Sequence, residues 1–208
     1  MHIPVKICGI TSLDDATVAV EAGADYIGFM LWEGSKRYIK PSDAMKIVEE
    51  VGEYVKTVGI FVNEKPKMVD DLVIGIGLDF AQLHGDETVS YISTLRTERI
   101  KAIRVKDESD IAYAATFEHA VDYILLDTYV EGERGGTGKT FNWDLAKGLA
   151  KDFPVILSGG LNSENVVEAI NRVNPYGVDV SSGVEKSPGI KDHDKIRDFI
   201  KAVRSVHN

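Results

Sequence analysis

The chain has one cysteine, Cys8, in 208 residues, which excludes an internal disulfide. Its five histidines and that thiol show no cluster with metal-ligand spacing. No apolar run is long enough to span a bilayer, and no charged-then-apolar leader opens the chain; the expectation is a soluble cytosolic protein. Positive charge is short as well. The 24 Lys and Arg against 33 Asp and Glu give a formal net charge of −9, which argues against nucleic acid or an anionic membrane as partner. A small phosphorylated ligand stays open, provided local cations or free backbone amides meet it. Nucleotide signatures are missing too. No Gly-x-Gly-x-x-Gly follows the first strand pattern, and Gly135-Gly136-Thr137-Gly138 carries no preceding strand–Gly-Lys-Ser/Thr geometry of a nucleotide-binding phosphate loop. Its glycines suit a lid or a loop bordering substrate.

What is present alternates from end to end. Short runs rich in Val, Ile, Leu and aromatics, of the kind buried on both faces, predict strands at Val5–Cys8, Tyr26–Phe29, Thr57–Val62, Phe80–Leu83, Ile100–Val105, Tyr123–Leu126, Val155–Leu157 and Val178–Val180. Helical patterns lie between and after them, at Leu13–Ala22, Ser42–Val51, Lys65–Val73, Thr88–Leu95, Ser109–Ala115, Trp143–Lys151, Ser163–Val173 and Asp192–Val203. Ser42, Asn162 and Lys191-Asp192 offer helix starts, with Pro41 blocking an earlier one. A faint repeat, Ala24-Asp25-Tyr26, Leu78-Asp79-Phe80, Val121-Asp122-Tyr123 and Val178-Asp179-Val180, enters every second strand. Eight such units with crossover helices predict a parallel sheet, and eight is the number that closes. The fold expected is a single-domain (β/α)8 barrel over residues 1–208, in preference to an open doubly wound sheet.

In such a barrel, chemistry sits at the carboxyl ends of strands. Those positions hold Cys8 after the first strand, Arg37 in the second loop, His84 after the fourth and Asp127 after the sixth. The seventh loop supplies Ser158-Gly159-Gly160 and the eighth Ser181-Ser182-Gly183. Alternation puts Lys6 and Cys8 on one face of the first strand, where Lys6 is placed to lower the thiol's pKa. Glycines let backbone N–H groups approach an anion, so the seventh and eighth loops together point to phosphate. Asp127 ends an apolar run, either as a loop cap or as a group held protonated to act as an acid. Arg37 reads as a solvated charge or a ligand contact, and His84 as a packed ring or a substrate contact.

Several segments together resemble one family, the phosphoribosylanthranilate isomerases of tryptophan biosynthesis. They are Val5-Lys6-Ile7-Cys8-Gly9-Ile10-Thr11, Gly28-Phe29, Ser35-Lys36-Arg37-Tyr38-Ile39 and Val58-Gly59-Ile60-Phe61-Val62-Asn63. Next come Gln82-Leu83-His84-Gly85-Asp86-Glu87, Leu126-Asp127, Gly135-Gly136-Thr137-Gly138 and Leu157-Ser158-Gly159-Gly160-Leu161. Val178-Asp179-Val180-Ser181-Ser182-Gly183-Val184-Glu185 and Pro188-Gly189-Ile190-Lys191-Asp192 complete the series, in the family's order over the whole chain.

The resemblance implies a cofactor-free, metal-free enzyme acting on a small phosphosugar. Cys8 resembles the general base, Asp127 the general acid and Arg37 a substrate contact. Gly159, Gly160, Ser181, Ser182 and Gly183 resemble the phosphate site. His84 and Asp179 stand as further substrate contacts, Asp179 with a structural strand-entry role as its alternative. The reaction implied is an Amadori rearrangement of N-(5′-phosphoribosyl)anthranilate to 1-(2-carboxyphenylamino)-1-deoxyribulose 5-phosphate, which needs one acid and one base on different sides of the sugar. The alternatives are another phosphosugar isomerase and a non-catalytic phosphosugar-binding barrel. Nucleic acid and membrane are not expected partners, and a monomer is expected over a homodimer.

Overall fold

The computed structural model describes residues 2–128 and 140–207. The glycine-rich 135–138 segment, read above as a lid, lies outside the described residues. Eight parallel strands close into a ring in chain order: β1 (Val5–Cys8), β2 (Tyr26–Met30), β3 (Lys56–Phe61), β4 (Phe80–Leu83), β5 (Glu98–Val105), β6 (Tyr123–Thr128), β7 (Val155–Leu157) and β8 (Gly177–Val180). A two-stranded antiparallel hairpin, β9 (Glu185–Ser187) and β10 (Ile190–Lys191), follows β8. The helices are α1 (Leu13–Ala22), α2 (Pro41–Val51), α3 (Pro66–Ile76), α4 (Val89–Ile92), α5 (Glu108–Ala115), α6 (Lys147–Asp152), α7 (Val166–Val173) and α8 (His193–Arg204).

The period-2 pattern sorts each strand between two cores. Val5 and Ile7 of β1 face outward into the shell between strands and helices. There α8 contributes Ile196, Phe199, Ile200 and Val203, a spacing that puts all four on one helix face. Burying each is worth about 1.5–3 kcal/mol relative to exposure. Inside the ring a second cluster, Tyr26, Val58, Phe80, Ile100, Ala102, Leu125 and Ile156, fills the amino-terminal half, with Tyr26 and Tyr123 edge-on to Phe80 at 5.9 and 5.8 Å. Two residues further along the same inward faces the side chains turn polar. Phe80 gives way to Gln82, Leu125 to Asp127 and Ile156 to Ser158. The apolar plug thereby leaves a polar layer at the carboxyl-terminal mouth.

Several local expectations change. Pro41 does not block α2 but opens it at the first helical position, where its missing N–H costs nothing. Asn162 binds the N–H groups of Glu164 and Asn165 in a turn, and α7 begins only at Val166. The helix expected over 88–95 is a single turn, Val89–Ile92. The Trp143–Lys151 pattern divides into a 3₁₀ turn, Trp143–Ala146, and α6.

The strand-entry repeat holds for three members of four. Asp25, Asp79 and Asp122 accept the backbone N–H of Val5, Thr57 and Arg99, at 2.8, 2.8 and 2.7 Å. Each carboxylate thus ties the start of an even strand to the strand before it. Asp179 breaks the series. It lies inside β8, opposite Lys6 of β1, and points into the barrel.

Candidate active site

The β1–β8 register sets Lys6 beside Asp179, and their side chains meet: Lys6 Nζ donates to Asp179 Oδ1 at 2.7 Å. Ser158 Oγ at the end of β7 donates to Oδ2 at 2.8 Å. Both Asp179 oxygens are therefore engaged within the barrel wall, and the carboxylate, 5% exposed, orders Lys6 and Ser158. Cys8 stands one inward position above Lys6. Gly28, its partner on β2, makes room for the pair: a Cβ there would lie 3.1 Å from Lys6 Nζ and 3.2 Å from Cys8 Sγ. Burial pushes the Cys8 thiol above its ordinary pKa and Asp179 adds to the rise, while Lys6 and Lys191 pull it down without offsetting burial. Lys6 thus acts on the thiol in the expected direction. The pull exists, but desolvation of a buried thiolate outweighs it. Burial works against the Lys6 ammonium as well, yet Asp179 and Cys8 outweigh it and raise that pKa.

Asp127 ends the inward face of β6. Its Oδ1 accepts the N–H of Thr128 at 2.8 Å, and Oδ2 stands 3.4 Å from His84 Nε2. Gln82 Nε2 lies 3.3 Å from His84 Nδ1. With the amide donating there, the ring proton sits on Nε2, facing the carboxylate. His84 thus borders Asp127, with Nε2 lacking a well-aligned hydrogen bond among the described residues. Gly159, at φ +86°, is pressed against the same corner; a Cβ would run into Thr128 and come within 3.0 Å of Asp127 Oδ1.

Ser158-Gly159-Gly160 and Ser181-Ser182-Gly183 leave adjacent strands at the mouth. Gly160 also has positive φ, +67°. Among the described residues, no hydrogen bond takes up the backbone N–H of Gly159, Gly160, Ser182 or Gly183. Ser181 Oγ is a buried hydroxyl without a partner among the described residues. Gly183 has a packing reason of its own, since a Cβ would collide with the Leu161 carbonyl. Four half-buried donors on neighbouring loops form a surface that accepts an anion.

Arg37 is not a solvated charge. Its Nε and Nη2 donate to Glu185 Oε1 and Oε2 at 2.8 and 2.7 Å, with the side chain 13% exposed and that of Glu185 4%. Its stem lies over Gly9, where a Cβ would fall 2.8 Å from Arg37 Cδ. Glu185 also accepts from Lys191 Nζ at 3.0 Å. Lys191 in turn donates to the carbonyls of Cys8 and Ser181, at 2.6 and 3.2 Å. The bidentate bonds from Glu185 raise the Arg37 pKa. Burial opposes ionisation of Glu185, yet Arg37 and Lys191 hold it below the usual carboxylate range. Glu185 and Lys191 escaped the sequence reading as site residues. Both lie in quoted segments, but an exposed helix-entry lysine and a buried one look identical in sequence.

The chain matches the family described as N-(5'phosphoribosyl)anthranilate (PRA) isomerase over residues 5–202. A protein from Nitrosomonas eutropha named N-(5'-phosphoribosyl)anthranilate isomerase is 48% identical over 209 residues, covering all of both chains. Two crystal structures of the Thermotoga maritima phosphoribosyl anthranilate isomerase superpose with TM-scores of 0.92 and 0.89. Their identities are 45% and 44%, over 98% of this chain and 100% of those; the second shows mutually generated monomers of a dimeric enzyme. A further isomerase structure, in complex with reduced 1-(o-carboxyphenylamino)-1-deoxyribulose 5-phosphate, gives a TM-score of 0.89 at 43% identity, again over 98% and 100%. With a closed eightfold barrel and a match over nearly its full length, this chain belongs to the phosphoribosylanthranilate isomerase family of tryptophan biosynthesis.

Proposed function

We propose that Cys8 and Asp127 are the base and acid of the Amadori rearrangement, with the substrate's phosphate on the loops after β7 and β8. The observation that carries this reading is the order of strands around the mouth. Going round the ring from Asp127 on β6 to Cys8 on β1, the chain passes through β7 and β8, whose loops offer the free N–H groups. A phosphate seated there anchors a sugar between a carboxyl on one side and a thiol on the other. Asp127 gives its proton to the furanose ring oxygen, and the C1′–O bond breaks to leave an iminium. The iminium acidifies the C2′–H, Cys8 takes that proton, and the electron pair forms the C1′–C2′ double bond of an enolamine. Tautomerisation then gives the ketone, with no net gain or loss of atoms or electrons.

In this reading Arg37, fixed by Glu185, presents its remaining N–H groups to the anthranilate or the sugar. His84 borders the acid, and Asp179 acts by ordering Lys6 beneath the thiol. The substrate is the phosphosugar conjugate seen in product-like form in the liganded relative. A phosphorylated metabolic substrate suits the cytoplasm. Replacing Cys8 by Ala tests the central assignment. It should lower kcat by about two to four powers of ten with KM near the parent value, since the base acts in the transition state. A folded Cys8→Ala protein within about tenfold of the parent rate would refute the base.

A further inference from the structure

We propose that Lys191 is a positioning residue for the reaction: its buried ammonium bolts the ends of β1 and β8 and the Arg37–Glu185 pair into one unit that holds the Cys8 thiol in place. The inference rests on the reading of Cys8 as base. Lys191 enters from β10, far from β1 in sequence, and its side chain is fully enclosed. An ammonium has three protons, and here three acceptors are aimed at it: the carbonyl of Cys8 at 2.6 Å, the carbonyl of Ser181 at 3.2 Å and Glu185 Oε1 at 3.0 Å. All three belong to residues at the mouth. One is the backbone of the thiol's own residue, one begins the eighth loop, and one is the carboxylate that clamps Arg37. Glu185 is held from further sides by the Gly189 N–H at 3.3 Å and by Lys195 Nζ on its carbonyl at 3.0 Å.

A buried ion pair is seldom the cheapest way to fill space, because apolar residues of similar volume pack there at no electrostatic cost. A lysine retained at such a point, with its donors spent on two active-site carbonyls and the carboxylate that clamps Arg37, is explained by what it locates. Its charge also reaches the thiol. The charged groups acting on Cys8 are Lys6 and Asp179 from below, with Lys191 and Arg37 from the side of the loops. The fold repeats the device elsewhere, which supplies a control. Lys101 on the outward face of β5 donates to the carbonyls of Leu83 and Gly85 and to Glu87, at 3.3, 2.8 and 2.8 Å. Those acceptors bracket His84 and none belongs to Cys8.

Because Cys8 is the only cysteine, alkylation by iodoacetamide reports its thiolate alone in the full-length protein. The rate would be followed from about pH 7 to 10, spanning the ordinary thiol range, beside kcat and KM. Lys191→Met should move the alkylation profile to higher pH and lower kcat about tenfold or more. Glu185→Gln takes away the carboxylate that sustains the Lys191 charge against burial, so it should move the profile in the same direction, by less. Lys101→Met breaks a comparable buried pair and should leave the profile in place. Displacement by both partners of one pair, with Lys101→Met unmoved, is not produced by general loosening. A parent-like profile and kcat in Lys191→Met would overturn the inference. If that variant does not fold, an unmoved profile in Glu185→Gln overturns it instead. Near-parent activity of Cys8→Ala would defeat the base assignment separately, since the alkylation displacements do not depend on catalysis.

Discussion

Asp179→Asn tests the arrangement around the thiol with a magnitude that follows from the geometry. Lys6 Nζ and Cys8 Sγ lie 3.1 and 3.2 Å from the one point where a Gly28 Cβ would stand, so they are no more than about 6 Å apart. Asp179 Oδ1 is 2.7 Å beyond Nζ, which places its charge within about 9 Å of the sulfur. At an effective dielectric of about 20, a unit charge at that distance disfavours the thiolate by about 2 kcal/mol. Removing it by an isosteric amide frees Lys6 to face the sulfur and enlarges the thiolate fraction below its titration roughly twentyfold. A thiolate of lower basicity is also a weaker nucleophile, by about the square root of that gain, so alkylation near pH 8 should accelerate roughly fivefold. Leaving Lys6 without its carboxylate costs about 3–5 kcal/mol of stability in a buried site, so a denaturant titration must first show the variant folded at the assay temperature. Slower or unchanged alkylation in folded Asp179→Asn would refute the placement of Lys6 between Asp179 and Cys8.

Asp127→Asn should lower kcat by about two to four powers of ten and remove one limb of the pH–rate profile; retention of both limbs would move the acid elsewhere, first to the anthranilate carboxyl of the substrate. Gly160→Asp places a carboxylate among the free N–H groups and should raise KM strongly and abolish competition by inorganic phosphate, with Gly160→Ala as the control for backbone strain at its positive φ. Equal KM values for the two Gly160 variants would remove phosphate from these loops. Glu185 titrates lower in the folded chain than its ordinary value of 4.5, so its contribution is present above that value and lost as pH falls through the depressed folded one. Urea midpoints should therefore drop less steeply between pH 5 and 3 in Glu185→Gln than in the parent, and equal slopes would count against the pair. Cys8 has the opposite sign. A raised folded pKa means stability lost as pH climbs from the unfolded thiol's range, so Cys8→Ala should resist alkaline destabilisation better than the parent, as thermal melts from about pH 8 to 10 would show.

The sequence by itself determined the barrel, because local pattern is what a parallel barrel uses. Short apolar strands alternating with amphipathic helices leave few closed topologies, and the ends of β1, β4 and β7 fall where the run of apolar residues stops. It also determined which residues stand at the mouth, since strand ends are readable to within a residue or two. Tertiary structure decided what those residues do to one another. Asp179 looked like a fourth strand-entry carboxylate because the motif repeats over three residues, and only the β1–β8 register turns it inward onto Lys6. Lys6 pulls the thiol's pKa down as its place on β1 suggests, but desolvation, which depends on the packing around β1 and β2, outweighs that pull. Arg37 and Glu185 are separated by most of the chain, and Lys191 carries no mark of burial in its neighbours. Their network exists because closing the ring brings β8 back beside β1, a contact between the two ends of the sequence that no local pattern records.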